Sequence, residues 1–187
     1  MNTFLSYINS IVPLSESAIN DIEKVVTSSS FPKKHLLIPN LAQCQYLYFI
    51  KKGVARAFFY HHDKEITDWF GIEKMIIGPI IRNFPIKDTL HSVELLEDSE
   101  IFQIPFSALE ELYQKHHDVE RLGRNIAIQT ILHLQFRIDN IQLFSAKERY
   151  EEFLKKYPSL TNRVSLGYIA SYLGMNQVTL SRIRRNH

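Results

Sequence analysis

The 187-residue sequence has little cysteine, glycine or proline, and it has no long run of apolar residues. Its single cysteine, Cys44, excludes an internal disulfide, and alone it cannot supply an iron–sulfur cluster or a cysteine-based zinc site. No apolar run approaches the ~18 residues of a membrane-spanning helix. Residues 1–7 carry Asn and Ser where a signal peptide needs positive charge. We therefore expect a cytoplasmic protein with no membrane partner.

Acidic residues are missing from the end of the chain. From Phe153 onwards six side chains are basic and none is acidic, whereas residues 1–152 carry 16 basic against 20 acidic side chains. The six are Lys155, Lys156, Arg163, Arg182, Arg184 and Arg185. A mildly acidic body with a basic tail indicates an end that binds a polyanion, although such a tail is also often only a solvated surface.

Short motifs of the common enzyme classes are also missing, namely GxSxG, HExxH, GxxxxGK[ST] and GxGxxG. Two histidine pairs, at 61–62 and 116–117, do not favour a metal site, because the side chains of adjacent residues point in different directions. We expect neither an enzyme nor a metal site, while a haem bound by histidine is left open.

Aromatic and β-branched segments fill the middle of the chain. They are the runs 46–50, 54–60, 66–70, 75–77, 92–96 and 100–104, and turn-like residues such as 51–53 and 61–64 separate them. Many short strands at this spacing predict an antiparallel roll or barrel. Residues 4–26 are predicted to be helical, with Ser15 as an N-cap and the serines at 28–30 as the end.

A long helix is predicted from about 119 to 143, after a shorter one that begins with the capping box of Ser107 and Glu110. One of its faces has the 4-3-4-3 spacing of a coiled coil, with Ala127, Ile131, Leu134, Ile138 and Ile141. A second apolar stripe lies ~140° away and contains Ile128, Leu132, Phe136 and Leu143. We expect one stripe to pack on the β body and the other on the same helix of a second subunit. A helix enclosed in a monomer core is the alternative.

Residues 164–185 have the pattern of a helix-turn-helix. The capping box of Ser145 and Glu148 begins a preceding helix that Pro158 ends. Ser165 then caps the first helix of the motif, and Gly174 permits a left-handed turn residue. The predicted inward residues are Leu166, Ile169, Ala170, Leu173, Met175, Leu180 and Ile183.

Asn176 caps the second helix of this motif, which is polar, basic and free of acidic residues. Such a helix suits a DNA major groove lined by phosphates. An ordinary helical hairpin in an unrelated fold is the alternative. The predicted DNA-binding residues are Ser165, Asn176, Gln177, Val178, Thr179, Ser181, Arg182, Arg184 and Arg185.

The chain resembles the Crp/Fnr family of bacterial transcription regulators, and its tail resembles the branch common in Bacteroidetes. The matching segments are Ser-Ala-Lys-Glu-Arg-Tyr at 145–150, Tyr-Pro at 157–158, Ile-Ala-Ser-Tyr-Leu-Gly at 169–174 and Thr-Leu-Ser-Arg-Ile-Arg at 179–184. The resemblance implies an α+β fold with three parts. An N-terminal antiparallel β-roll of the cyclic-nucleotide-binding, jelly-roll-like type with flanking helices occupies 1–118. A dimerisation helix follows at 119–144, and a winged helix-turn-helix domain at 145–187.

The resemblance also implies partners and roles. The expected partners are double-stranded DNA, a second copy of the chain, RNA polymerase and an unknown small-molecule effector. Base-reading positions of the family fall on Gln177, Val178 and Arg182. Many members have Glu where this chain has Val178, so contact with a thymine methyl group is expected there.

The effector pocket departs from the family pattern. Relatives that bind cyclic AMP have Gly-Glu-Leu and, about ten residues later, Arg-Ser-Ala or Arg-Thr-Ala; Gly78-Pro79-Ile80 and Thr89-Leu90-His91 fall on these elements. Pro79 brings no carboxylate, and Thr89 brings no charge to a phosphate that favours a guanidinium. The less favoured interpretation is that Arg82 or His91 supplies the missing charged group from another position.

We therefore expect neither cyclic AMP nor cyclic GMP as a cofactor, and a sensor that has lost cyclic-nucleotide chemistry. One alternative is a small-molecule-binding module whose tail does not bind DNA specifically. The other is a regulator that does bind a cyclic nucleotide.

Overall fold

A computed structural model describes residues 1–40, 44–78 and 91–185. Two helices begin the chain, α1 (Asn2–Ile11) and α2 (Glu16–Val25). The Ser15 hydroxyl accepts a hydrogen bond from the Ala18 amide at 3.3 Å, so the predicted N-cap is confirmed. The serines at 28–30 do not only end a helix: they lie in strand β1 (Thr27–Phe31), because that segment pairs along its whole length with a later strand.

Eight strands in the described residues form two four-stranded antiparallel sheets. The first sheet has the order β1, β8 (Ser99–Pro105), β3 (Tyr46–Lys52), β6 (Ile76–Ile77). The second has the order β2 (Leu36–Ile38), β7 (Ser92–Leu95), β4 (Ala55–His61), β5 (Lys64–Gly71). All six predicted strand segments overlap observed strands, so the antiparallel roll is confirmed.

The sheets and the first four helices enclose the larger of two hydrophobic clusters, with Phe49, Ile50 and Ile101 almost fully buried. Helix α3 (Phe106–Lys115) begins directly after β8, and its predicted capping box is wrong. The helix begins at Phe106, whose amide donates to the Gln45 carbonyl at 2.9 Å, so Ser107 already lies within the helix.

Helix α4 (His117–Leu143) has 27 residues, close to the predicted extent. Its first turns pack on α1 and α3 through the buried Val119 and Leu122. Further along, the second apolar stripe is exposed, up to 74% for Leu143. The expectation that one stripe packs on the chain's own β body is therefore wrong, because the side chains of both stripes are largely exposed beyond the first turns of α4.

The C-terminal part consists of α5 (Ala146–Lys156), a 3-10 turn (Leu160–Asn162), α6 (Leu166–Tyr172) and α7 (Gln177–Arg185). No strand follows β8 in the described ranges, so the wing that the resemblance implies is not among these residues; the 3-10 turn occupies the connection between α5 and α6. The division at 118 and 144 stays a prediction. None of the helices described here is long and apolar enough to cross a membrane.

Candidate nucleic-acid interface

Local hydrogen bonds build the helix-turn-helix as the sequence predicts. Glu148 and Ser145 form a reciprocal capping box at the start of α5, with distances of 2.7 and 3.3 Å. Ser165 accepts from the Tyr168 amide at 3.2 Å, and the Asn176 side chain accepts from the Thr179 amide at 2.7 Å. Each cap satisfies a backbone amide that a helix start would otherwise leave without a partner.

A left-handed glycine makes the turn between α6 and α7. Gly174 has φ +63°, and the next amide, that of Met175, donates to the Ala170 carbonyl at 3.0 Å. Ala170 and Leu180 are buried where the two helices meet. The apolar side of α7 is thus occupied by the core, which leaves its opposite side toward solvent.

The exposed side of α7 carries most of the predicted DNA-binding residues. The exposed members are Gln177, Val178, Ser181, Arg182, Arg184 and Arg185, together with the two capping residues Ser165 and Asn176. Val178 is 61% exposed, which is unusual for a β-branched apolar side chain, whereas Thr179 is partly buried. Within the described residues, none of the three α7 arginines forms an ion pair with a carboxylate.

Not all of the basic tail is free to meet a polyanion. Arg163 donates to Glu73 at 2.6 and 3.0 Å and to Glu97 at 3.2 Å, so its charge is neutralised by the β-roll. Lys155 lies 2.6 Å from Glu152. The charge asymmetry of the sequence therefore overstates the basic surface, which is concentrated on α7.

The helix-turn-helix rests on the second sheet of the β-roll. Strand β5 is an edge strand of that sheet, and its Thr67 amide donates to the Ser171 hydroxyl of α6 at 2.8 Å. Tyr157 donates to the Phe70 carbonyl at 3.3 Å, and burial raises the pKa of the Tyr157 hydroxyl far above its usual value. These contacts cover a strand edge that would otherwise present unpaired backbone groups.

A buried arginine lies beneath α6. Arg56 of β4 is only 1% exposed, and it pairs with Glu65 at 2.7 Å and Glu94 at 2.8 Å. Its guanidinium lies 3.7 Å from the centre of the Tyr168 ring. A buried cation is tolerated only when it is fully paired, and here two carboxylates and an aromatic face serve that purpose.

The expected effector pocket is described only at its two ends. Pro79, Ile80, Arg82, Thr89 and Leu90 lie outside the described residues. Gly78 has φ +139°, a conformation that other residues rarely adopt. The His91 ring contacts the Phe59 ring in a tilted arrangement with centres 4.8 Å apart, and its Nε2 lies 3.4 Å from Asp68.

The five positions of the predicted dimer seam lie along one face of α4. Four of them, Ile131, Leu134, Ile138 and Ile141, are about half exposed or more, and Ala127 is partly buried. Apolar side chains this exposed at regular spacing form a patch that is typical of an interaction surface.

Sequence reasoning missed the residues that join the helix-turn-helix to the β-roll. Arg56 pairs with Glu94, Arg163 with Glu73 and Ser171 with Thr67, which lie 38, 90 and 104 positions away, so no local pattern identifies these contacts. Among the residues described, no three His, Cys, Asp or Glu side chains come together as a metal site.

No protein-family model matches the sequence, and no curated protein matches it. Solved structures do. FixK2 from Bradyrhizobium japonicum is 20% identical, with a TM-score of 0.76 over 87% of this chain and 84% of its own. A protein of Eubacterium rectale ascribed to transcriptional regulators of the Crp/Fnr family is 17% identical. Its TM-score is 0.71, and the match covers 92% of this chain and 83% of that protein. A variant of CooA from Carboxydothermus hydrogenoformans is 16% identical. Its TM-score is 0.69, and the match covers 92% of this chain and 85% of that protein. The two antiparallel sheets, the long helix and the terminal helix-turn-helix thus assemble into the fold of the Crp/Fnr transcription regulators.

Proposed function

We propose that this protein is a homodimeric, sequence-specific DNA-binding transcription regulator of the Crp/Fnr type and not an enzyme. The observation that carries the proposal is the exposed face of α7, which is polar and basic with no acidic residue while its apolar face is held in the core. A rigid helix with this distribution of charge fits the major groove.

Two classes of contact follow from positions along α7. Arg182 lies one turn after Val178 on the exposed side, where a guanidinium reaches guanine O6 and N7. Val178 then meets a thymine methyl group, and Gln177 reads a neighbouring base. Arg184 and Arg185 lie at the end of the helix and bind phosphates, which fixes the register of the protein without reading sequence.

The dimer forms through α4 in this proposal. The seam Ala127, Ile131, Leu134, Ile138 and Ile141 packs against its copy, which removes an exposed apolar stripe from water. Two recognition helices then read inverted half-sites about one helical turn apart, ~34–36 Å.

The β-roll acts as the sensor in this proposal, with an effector other than cyclic AMP or cyclic GMP and with RNA polymerase as a further partner. Support comes from Pro79 and Thr89, which stand where the cyclic-nucleotide-binding relatives need a carboxylate and a guanidinium.

The test is selection of binding sites from a random DNA library with the purified protein, followed by titrations of two variants in a salt series. Arg182→Ala should cost ~1–3 kcal/mol on the selected site and relax preference at one base pair per half-site. Arg185→Ala should weaken binding to all sequences alike and reduce the salt slope by about one unit. Lys33→Ala, an equal charge change on an exposed loop residue of the β-roll, should change neither quantity.

Three results would contradict this assignment. The first is the absence of an enriched site, which would favour a small-molecule-binding module. The second is an enriched site with no inverted symmetry, and the third is an equal loss of specificity in both α7 variants.

A further inference from the structure

A small cleft lies where the long helix meets the helix-turn-helix, away from the exposed face of α7. It has a volume of about 40 Å³ and is lined by residues of α4, α5 and the end of α6. Its positively charged wall residues are Arg137, Arg149 and Lys156, and its aromatic wall residues include Phe136, Phe153 and Tyr172.

Positive charge in this cleft exceeds negative charge. The one carboxylate of its walls, Glu152, already lies 2.6 Å from Lys155, which points outward and is 72% exposed. Arg137 has an ion pair with Asp68 at 3.8 Å from its Nε, donates to the Tyr172 carbonyl at 3.2 Å and lies 4.3 Å from the centre of the Tyr172 ring. The walls therefore carry three cations and a single carboxylate that is already paired.

One hydrogen-bond donor of the Arg149 side chain has no acceptor among the described residues. Its Nη1 donates to the Phe144 carbonyl at 2.9 Å, but its Nε is buried and has no acceptor among the described residues. Most buried donors in folded proteins have an acceptor, and each one left without costs free energy. Arg149 is also a wall residue of the cleft, so its guanidinium brings a donor with no acceptor to the side of this space.

The Lys156 side chain in the same cleft also lacks a negatively charged partner among the described residues. Within the described part of the chain, no carboxylate lies within 4.0 Å of its ammonium group. Burial lowers the pKa of Lys156, and the positive charge of Arg137 lowers it further. An anion between Lys156 and Arg137 would remove both the repulsion and the unpaired state.

The dimensions of the cleft restrict the anion. A cavity needs about 10–15 Å³ to hold one water molecule. The cleft volume of about 40 Å³ therefore holds about three waters or one small oxyanion. Two guanidinium groups and an ammonium group match the charge and the acceptor oxygens of a phosphate group. We propose that this cleft binds a phosphate-type oxyanion, either free or as the terminal group of a small aromatic metabolite that lies on the aromatic walls.

This site is separate from the exposed face of α7, although one of its wall residues, Ile141, also belongs to the proposed dimer seam. Its walls belong to two elements that the sequence assigns to different domains, α4 and the helix-turn-helix. A bound oxyanion would therefore join Arg137 of the long helix to Lys156 and Arg149 of α5.

The test is calorimetric titration of the full chain, in a phosphate-free buffer at constant ionic strength, with inorganic phosphate and with adenosine monophosphate. Lys156→Met removes the charge and keeps the length of the side chain, and it should weaken phosphate binding about tenfold. Lys147→Met is the matched control, because Lys147 lies on the same helix α5, is exposed and does not line the cleft. This control should bind within about twofold of the wild type.

A thermal melt of each variant separates binding from folding. Without ligand, Lys156→Met should melt at or above the wild-type temperature, because a repelled cation has been removed, and phosphate should no longer raise its melting temperature. If that variant does not fold, Lys156→Gln is used in its place. Tighter binding of adenosine monophosphate than of phosphate would identify an organic ligand, and equal binding would identify free phosphate.

Two results would overturn the proposal. One is no saturable binding of either probe up to ~10 mM, an affinity too weak to fill the site at metabolite concentrations. The other is an equal loss of binding in Lys156→Met and Lys147→Met, which would indicate a general charge effect.

Discussion

Replacement of Arg163 by Gln should destabilise the protein, because Arg163 joins the helix-turn-helix to two carboxylates of the β-roll. The magnitude follows from Glu73. The Arg163 guanidinium, with help from the Gly53 amide, lowers the pKa of Glu73 from 4.5 to about 2, which corresponds to ~3 kcal/mol before solvent screening. The two side chains are 22% and 35% exposed, so screening reduces the expected cost to about 1–2 kcal/mol.

The pH dependence of this effect has a definite sign. The pKa of Glu73 is lower in the folded state than in the unfolded chain, so the stabilisation is fully present above about pH 4.5. It is lost as the pH falls toward about 2, where the folded-state carboxylate becomes protonated. The difference between wild type and Arg163→Gln should therefore be constant near neutral pH and shrink below pH 4.5.

Urea denaturation at pH 7 and at a series of lower pH values measures this difference. The single tryptophan, Trp69 of β5, reports on the sheet that the helix-turn-helix contacts. Lys51→Gln serves as the control, since Lys51 pairs with Glu100 on an exposed surface and should cost at most ~0.5 kcal/mol. The reasoning is refuted if both variants cost the same at pH 7, or if the Arg163→Gln effect does not shrink in acid.

Two further predictions concern the dimer and the effector. Ile131→Glu combined with Ile138→Glu should place like charges in the α4 seam and yield monomers; a wild type that sediments as a monomer at micromolar concentration would contradict the seam. Cyclic AMP and cyclic GMP should not bind in the micromolar range, because Pro79 and Thr89 lack the groups that hold them; a micromolar dissociation constant by calorimetry for either would overturn this and point to Arg82.

The helix-turn-helix could be predicted from sequence because its determinants are local. Ser165 and Asn176 each bond an amide three residues away, and Gly174 requires only its own backbone angle. The six predicted strands share this property, since alternation and turn residues lie within each segment.

What could not be predicted depends on contacts between distant residues. The serines of β1 have a preference for turns, but pairing with β8, about 70 positions away, determines their conformation. Likewise, the sequence shows Arg163 only as one of the basic residues of the tail. Its pairing with Glu73 and Glu97 is visible only in the folded structure. The sequence also predicts that one apolar stripe of α4 packs on the β body, and this is wrong. Periodicity identifies an apolar face of a helix but does not identify the surface that covers it.

The smaller hydrophobic cluster has a consequence for protein engineering. Val54, Phe70 and Leu96 of the β-roll belong to the same cluster as Ile169 and Leu180 of the helix-turn-helix. A C-terminal piece of about 40 residues has too little core to fold well by itself, and here it completes its core with side chains of the roll. A chimera that transplants these C-terminal helices onto another domain should therefore carry along the matching surface around Val54, Phe70 and Leu96, or the transplanted helices will lose part of their hydrophobic core.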